Sequence, residues 1–152
     1  MEKNCQGSKV LNFSKFSEKA YAPKRATSGS AGMDLSACIE EEITVKPGDI
    51  AKIPCGIGVS VPEGYAAFIF ARSGLAIKHG ITLANAVGVV DSDYRGEVCV
   101  GLCNVSREPY TVRPNERIAQ MIIMKVEMMP IFEVTSLDET ARGTGGFGST
   151  GK

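Results

Sequence analysis

Short runs of valine and isoleucine recur along this chain with turn residues between them, and this rhythm constrains the fold more than any other feature. Brief strands separated by Gly, Pro and Asn at such spacing are typical of an all-β sandwich or barrel. Only the stretch 73–78 favours helix, for a turn or two. The predicted strands are 42–45, 50–53, 58–61, 65–71, 97–104, 110–112 and 118–126.

Length and charge narrow the class of protein. A chain of 152 residues is one domain of ordinary size and can bury a real core. Its 17 basic and 17 acidic side chains cancel, so no global field draws it to nucleic acid or to an anionic membrane. We therefore expect no nucleic-acid partner and no membrane partner.

The five cysteines indicate a reduced compartment. Their number is odd, and Cys5, Cys38, Cys55, Cys99 and Cys103 show no CxxC spacing, unlike a zinc site or a secreted disulfide scaffold. The sequence has neither a signal-peptide run at its start nor 18 consecutive apolar residues. These features predict a cytoplasmic protein.

The segment 88–98, GVVDSDYRGEV, holds the densest chemistry of the chain. Two acids, Asp91 and Asp93, and an aromatic ring, Tyr94, lie between two apolar arms. This pattern predicts a β-hairpin with a rigid polar tip. A fixed carboxylate beside an aromatic face suits a site that processes nucleotides.

Three further segments carry polar groups in apolar surroundings. In ARSGL, Arg72 and Ser73 follow an apolar strand, so their amides either bind an anion or merely cap a helix. In AGMDL, Asp34 lies within an apolar strand and is either a structural hydrogen-bond hub or an acid near a metal. In RIAQMI, the Gln120 amide must find partners, which a ligand can supply.

The last eleven residues, RGTGGFGSTGK, contain five glycines and cannot form a core. Composition favours a disordered end, whereas the lone Phe147 suits a flap that orders on a ligand. GFGSTGK matches the beginning of a phosphate-binding P-loop, but no chain remains to form the helix that a P-loop needs. We predict a β-barrel domain at 1–137 and a flexible glycine-rich arm at 138–152.

Five segments, taken in order, resemble the family of trimeric dUTPases, the deoxyuridine triphosphate nucleotidohydrolases. They are AGMDLSA at 31–37, ARSGLAIKHGI at 71–81, NAVGVVDSDYRGEV at 85–98, RIAQMII at 117–123 and RGTGGFGSTG at 142–151. The resemblance implies a jelly-roll-like β-barrel and a homotrimer whose active sites each use all three subunits. It also implies cleavage of dUTP to dUMP and pyrophosphate with Mg²⁺.

The same resemblance assigns roles to single residues. Asp91 would activate the water that attacks the α-phosphorus in line, and Asp34 would touch the metal through water. Tyr94 would pack on the deoxyribose and exclude a 2′-hydroxyl, and Phe147 would stack over uracil. Uracil would be read by Asn85, Val89, Val90 and the arm near Cys99, and the phosphates would be held by Arg72, Ser73, Gly74, Gln120, Arg142, Gly148, Ser149 and Thr150.

Two other functions stay open from the residues. A dCTP deaminase of the same fold would need a glutamate against the base, and Glu97 lies beyond the predicted turn. A nucleotide-sensing module without hydrolysis would lack the carboxylate that acts as general base or the glycine-rich arm. This sequence contains both Asp91 and the arm. The sequence therefore favours dUTP hydrolysis.

Overall fold

A computed structural model describes residues 10–146 as a mostly β structure with one short helix. The short apolar runs form strands because alternate β-branched and aliphatic side chains face a common core. In chain order the elements are β1 Asn12–Lys15, β2 Met33–Ser36, β3 Ile43–Val45, β4 Ile50–Pro54, β5 Ile57–Ser60, β6 Tyr65–Ala71, α1 Ser73–His79, β7 Ile81–Leu83, β8 Gly88–Val90, β9 Cys99–Asn104, β10 Tyr110–Val112 and β11 Arg117–Lys125.

The strands pair in antiparallel fashion in four small sheets. The largest has the order β2-β11-β6-β8, and a second has the order β4-β9-β7. Two-stranded sheets join β1 to β5 and β10 to β3. The all-β prediction is confirmed; within residues 10–146 the pairings form open sheets rather than one closed ring.

The buried apolar side chains form one core, to which all four sheets contribute. Strand β9 alternates half-buried with buried residues along its whole length, as expected for a strand with one face inward. The buried polar residue Asn104 has no exposed surface. Its amide donates to the Val45 and Glu108 carbonyls at 2.9 and 2.8 Å, and its oxygen accepts from Ser106, so this loop is fixed by a satisfied polar hub.

The predicted hairpin at 88–98 is wrong in its pairing. Strand β8 pairs with β6, through Ala67–Val90 to Ile69–Gly88, whereas β9 pairs with β4 and β7. The two arms of the turn therefore belong to different sheets. The antiparallel pair that encloses this region is β7 with β9, which the sequence pattern did not reveal because β7 is only three residues long.

The last strand, β11, ends at Lys125, and the chain from 126 to 146 contains no helix or strand. Several large apolar side chains in this segment are almost fully exposed, among them Ile131 at 97%, Leu137 at 84% and Phe132 at 81%. Exposed apolar side chains at this density are typical of a surface that another chain covers.

The one helix of the described residues, α1, is too short to span a membrane.

Candidate active site

Two clefts contain the candidate site residues that the sequence singled out between 34 and 120. The first, of about 240 Å³, lies along β8 and the loop that follows it; we call it the base cleft. The second, of about 340 Å³, lies where β2, β11 and the start of α1 meet; we call it the phosphate cleft. The clefts share no lining residue, and they flank opposite edges of the β2-β11-β6-β8 sheet.

The base cleft is formed by the crossing of the chain from one sheet to another. On strand β8, the Val89 side chain is 57% exposed and the Val90 side chain is buried. After Val90 the chain leaves this sheet and continues to β9 in another. Its lining residues are Lys52, Ile69, Asn85, Gly88, Val89, Val90, Asp91, Tyr94, Glu97, Val98 and Cys99. The structure thus brings together every residue that was predicted to contact the base and the sugar from the folded body.

The two acids of the loop differ in position. Asp91 lines the base cleft and Asp93 does not. The Asp91 side chain is exposed, and among residues 10–146 it has no hydrogen-bond or ion-pair partner. A carboxylate without such a partner is free to accept a proton.

The Tyr94 ring is braced by its own loop. Its hydroxyl donates to the Glu97 carbonyl at 3.0 Å, and a Cβ at Gly96 would overlap the ring. Arg95 closes the loop from outside by donating to the Ser92 and Tyr94 carbonyls at 2.7 and 2.9 Å. These contacts fix the ring beside the cleft while leaving it 44% exposed.

The phosphate cleft is built by strand register. Gln120 on β11 lies directly opposite Asp34 on β2, and Ala119 lies opposite Ala71 on β6, which ends immediately before Arg72. The Gln120 amide donates to the Ala71 carbonyl at 3.1 Å. The lining residues are Ala26, Ser30, Ala31, Gly32, Asp34, Arg72, Ser73, Gly74, Arg117 and Gln120.

Asp34 joins two arginines across this cleft. Its Oδ1 lies 3.2 Å from Arg72 Nε, and its Oδ2 lies 3.0 Å from Arg117 Nη1. Arg72 also donates from Nη1 to the Arg117 carbonyl at 2.8 Å. Both carboxylate oxygens are therefore engaged, and the guanidinium groups are held in fixed positions with their remaining N–H groups available for an anion.

Arg72 is the residue before the first turn of α1, and its side chain makes no capping hydrogen bond. Ser73, which could have capped the helix, is its first residue instead. Ser73 and Gly74 are exposed in the phosphate cleft. The simple capping role for this segment is therefore wrong, and an anion-binding role is consistent with the geometry.

The thiols near the base cleft are held in their neutral form. Burial, with smaller effects from Cys99, Glu97 and Cys38, raises the pKa of Cys55 to about 12. Burial and the charge of Glu97 also raise the pKa of Cys99, against a smaller opposite effect of Lys52. A neutral thiol is a poor nucleophile, so Cys99 contributes shape to the cleft rather than covalent chemistry.

The predicted arm residues are not brought into either cleft. Arg142 lies outside both, and its Nε donates to the Gly145 carbonyl at 2.8 Å. Phe147, Gly148, Ser149 and Thr150 lie outside the described residues. The domain boundary at 137 and the role of the arm stay predictions.

Three charged residues that line the clefts received no role in dUTP hydrolysis from the sequence. Arg117 reaches Asp34 because β11 is irregular between Arg117 and Ala119, and such a bulge redirects side chains. Lys52 reaches the base cleft from β4, and Glu97 reaches it from beyond the turn. Only the strand pairing places these residues, so no local pattern could have found Arg117 or Lys52.

Candidate metal ligands are sparse. Within the described part of the chain no three His, Cys, Asp or Glu side chains lie close enough together to hold a metal ion. Asp34 is the one carboxylate of the phosphate cleft, and arginines engage both of its oxygens. A cation here would need most of its ligands from elsewhere.

Comparisons with known proteins agree on one family. The sequence model of the dUTPase family matches residues 18–151. The chain belongs to the dUTPase family. The deoxyuridine 5′-triphosphate nucleotidohydrolase of Fusobacterium nucleatum is 54% identical over 135 residues, covering 89% of this chain and 92% of that protein. The same enzyme of Desulfitobacterium hafniense strain DCB-2 is 52% identical over 130 residues, covering 85% and 86%.

Solved structures of dUTPases share the fold. The dUTPase of Staphylococcus bacteriophage 80alpha with dUPNHPP superposes with a TM-score of 0.84 at 24% identity, covering 94% of this chain and 99% of that one. An Asp-to-Asn mutant of the dUTPase from phage phi11 of S. aureus, whose structure reveals the coordination of a structural Mg(II) ion, has a TM-score of 0.75 at 22% identity, covering 84% of this chain and 97% of that one. The jelly-roll-like β fold expected from the sequence is thereby confirmed.

Proposed function

We propose that this protein is a dUTP diphosphatase, which hydrolyses dUTP to dUMP and pyrophosphate. The observation that carries the proposal is the division of the chemistry between two clefts. The base cleft offers Asn85, the Tyr94 ring and the unpaired carboxylate of Asp91, and the phosphate cleft offers two fixed guanidinium groups. A nucleoside triphosphate has the matching division into base, sugar and anion. Family membership favours dUTP among such nucleotides.

Asp91 accepts the proton of the attacking water. Water attacks the α-phosphorus in line, the bond to the bridging oxygen breaks, and pyrophosphate leaves with the electron pair of that bond. The carboxylate needs only position, since it is free of partners among the described residues. General-base catalysis of this kind contributes roughly 10²- to 10⁴-fold to the rate.

The base cleft reads the nucleoside. The uracil edge pairs with Asn85 and with the backbone of Val89 and Val90. The start of β9, near Cys99, closes the cleft against a larger base. Cytosine presents the opposite pattern of donors and acceptors and would leave these groups unpaired. The braced Tyr94 ring packs on the deoxyribose and leaves no space for a 2′-hydroxyl.

The phosphate cleft holds the triphosphate. The phosphate oxygens are contacted by Arg72, Ser73, Gly74 and Gln120. Asp34 fixes Arg72, together with the neighbouring Arg117. Because arginines engage both oxygens of Asp34, a Mg²⁺ ion here would be held mainly by the phosphates and by water, and Asp34 would contact it only through water. When bound, it neutralises charge on the triphosphate.

The complete site is assembled from three copies of the chain. The disjoint clefts support this arrangement, because one nucleotide can use the base cleft of one copy and the phosphate cleft of its neighbour. The exposed apolar residues of 126–146 supply a surface for the neighbour to cover. The arm from the third copy, with Arg142 and Phe147 to Thr150, closes over the base and the outer phosphates.

Product analysis tests the activity. The full-length protein is incubated with each deoxynucleoside triphosphate and Mg²⁺, and phosphate, pyrophosphate and ammonia are measured. We expect dUMP and pyrophosphate from dUTP alone. Release of ammonia from dCTP would instead indicate the deaminase, whose glutamate would have to be Glu97, and binding of dUTP without turnover would indicate a sensing module.

Subunit mixing tests the shared site separately. Copies that lack residues 142–152 are exchanged with full-length copies that carry Asp91→Asn. Each preparation alone should be inactive, and mixed assemblies should regain activity because some sites combine an intact Asp91 with an intact arm. No recovery after demonstrated exchange would contradict arms that cross between copies.

A further inference from the structure

One acid of the base cleft has a contact that none of the roles above uses. The Oε1 of Glu97 accepts the backbone N–H of Gly56 at 2.8 Å. Gly56 belongs to the tight turn between β4 and β5, it is buried, and it has φ +67°. A Cβ at this position would lie 2.6 Å from Cys38 Sγ and 2.8 Å from Ala20 Cβ, so only glycine fits this turn, which packs closely against its neighbours.

Two backbone hydrogen bonds extend this contact into a clamp. The Cys55 amide donates to the Val98 carbonyl at 2.9 Å, and the Val98 amide donates to the Ile57 carbonyl at 2.8 Å. Together with the Glu97 side chain they fasten residues 97–98 to the β4–β5 turn. The next residues towards the loop tip have no strand partner of their own, because β8 ends at Val90 and β9 begins at Cys99.

Further hydrogen bonds connect this clamp to the loop between β8 and β9, which bears Asp91 and Tyr94. The Glu97 carbonyl accepts the Tyr94 hydroxyl at 3.0 Å, and the Tyr94 amide donates to the Asp91 carbonyl at 3.2 Å. The position of Glu97 therefore sets the position of the Tyr94 ring, and through the turn it sets that of Asp91. Without the Gly56 contact, the backbone bonds of Val98 would still join the chain to the β4–β5 turn, but the Glu97 side chain would no longer be fastened to it.

We propose that Glu97 is a positioning residue, which fastens the loop bearing Asp91 and Tyr94 to the rigid β4–β5 turn through the amide of Gly56. The inference rests on the proposed dUTP hydrolysis for its kinetic readout. Glu97 acts through its reach and its acceptor oxygen rather than through its charge. The role requires an oxygen at the end of a side chain of this length.

A crossed pair of variants separates reach from charge. Glu97→Gln keeps the length and one acceptor oxygen but loses the charge, and Glu97→Asp keeps the charge but is one methylene too short for Gly56. We expect Glu97→Gln to stay within about threefold of the wild type in kcat/KM. We expect Glu97→Asp to lose about tenfold in kcat/KM, which corresponds to the loss of one hydrogen bond, with kcat lowered, KM raised and discrimination against UTP weakened. Glu63→Ala, in the exposed β5–β6 turn, is the matched control and should behave as wild type.

The amide of Gly56 gives a readout that does not depend on activity. By NMR of the full-length protein, hydrogen exchange at this amide should be slow in the wild type and in Glu97→Gln, and faster in Glu97→Asp, while amides in β9 stay unchanged. Active Glu97→Asp with inactive Glu97→Gln would overturn the inference, as would a folded Glu97→Asp with wild-type kinetics. If the wild type does not cleave dUTP, the proposed function fails, and unchanged Gly56 exchange in Glu97→Asp would still overturn the clamp.

Discussion

The two clefts use aspartate in opposite ways. In the phosphate cleft Asp34 is half-buried and both of its oxygens bind arginine. In the base cleft Asp91 is exposed and has no side-chain partner among residues 10–146. A paired carboxylate fixes its neighbours, whereas an unpaired one at a fixed position can take a proton. The contrast indicates that binding and chemistry are assigned to different parts of the chain.

The largest expected effect is the loss of the unpaired acid. Asp91→Asn should lower kcat by about 10³-fold, within the range for removal of a general base, and leave affinity for a non-hydrolysable dUTP analogue nearly unchanged. Pyrophosphate release and calorimetric titration measure the two quantities. Asp93→Asn is the control, because Asp93 lies outside the cleft; a loss in that variant with an active Asp91→Asn would reverse the assignment.

Loss of the paired acid should act on binding. Asp34→Ala removes two ion pairs that fix Arg72 and Arg117, so KM for dUTP should rise about tenfold or more, while kcat falls less. The control is Glu42→Ala, whose pair with Arg113 is exposed on both sides at 57% and 74% and should contribute little. Equal effects of the two substitutions on steady-state kinetics would show that the Asp34 pairs are ordinary surface contacts.

Truncation of the sugar platform should change selectivity more than rate with dUTP. Tyr94→Ala opens the space that a 2′-hydroxyl would occupy, so the ratio of kcat/KM for dUTP to that for UTP should fall about tenfold or more. An apolar wall alone rejects an added hydroxyl by about 100-fold. Competition between the two nucleotides in one reaction measures the ratio, and an unchanged ratio would remove Tyr94 from sugar selection.

The last prediction concerns alkaline pH, which should lower the free energy of unfolding without touching the residues that line the clefts. The pKa of Cys55 is about 12 in the fold against 9.0 for a free thiol, so above about pH 9 the unfolded chain loses a proton that the folded chain retains. Stability should therefore be complete below pH 9 and fall by up to about 1.4 kcal/mol per pH unit towards pH 12. Urea unfolding at a fixed subunit concentration should show a shallower decline for Cys55→Ala. Identical pH slopes would contradict the role of this thiol.

Most strands could be predicted because their apolar alternation is local. Strand β6 and β10 match the predicted ranges, and α1 extends the prediction by one residue to His79. Strands β1 and β7 were missed: β1 is exposed at every position, so it shows no alternation, and β7 is very short. The pairing of β8 with β6 could not be predicted, since the residues of 88–98 carry no information about a partner twenty positions earlier.

The site divides in the same way. Part of each cleft's lining was named from the sequence: Arg72, Asp34 and Gln120 because polar groups in or beside apolar strands need partners, and Asn85, Val89, Val90 and Cys99 only through the family resemblance. The role of Asp34 stayed open between a structural hub and a metal ligand, since only the register of β2 with β11 brings Arg117 to it. Likewise, the amide that holds Glu97 lies 41 positions earlier in the chain, beyond the reach of any local pattern.

The central claim is that one nucleotide joins the base cleft of one copy to the phosphate cleft of another, with Asp91 facing the α-phosphorus. A crystal structure of the full-length protein with Mg²⁺ and a non-hydrolysable dUTP analogue tests it most directly. We expect uracil beside Asn85 and Val89 of one copy, phosphates on Arg72 and Gln120 of its neighbour, and a water between Asp91 and the α-phosphorus. An analogue held entirely by one copy, or an Asp91 remote from the α-phosphorus, would contradict it.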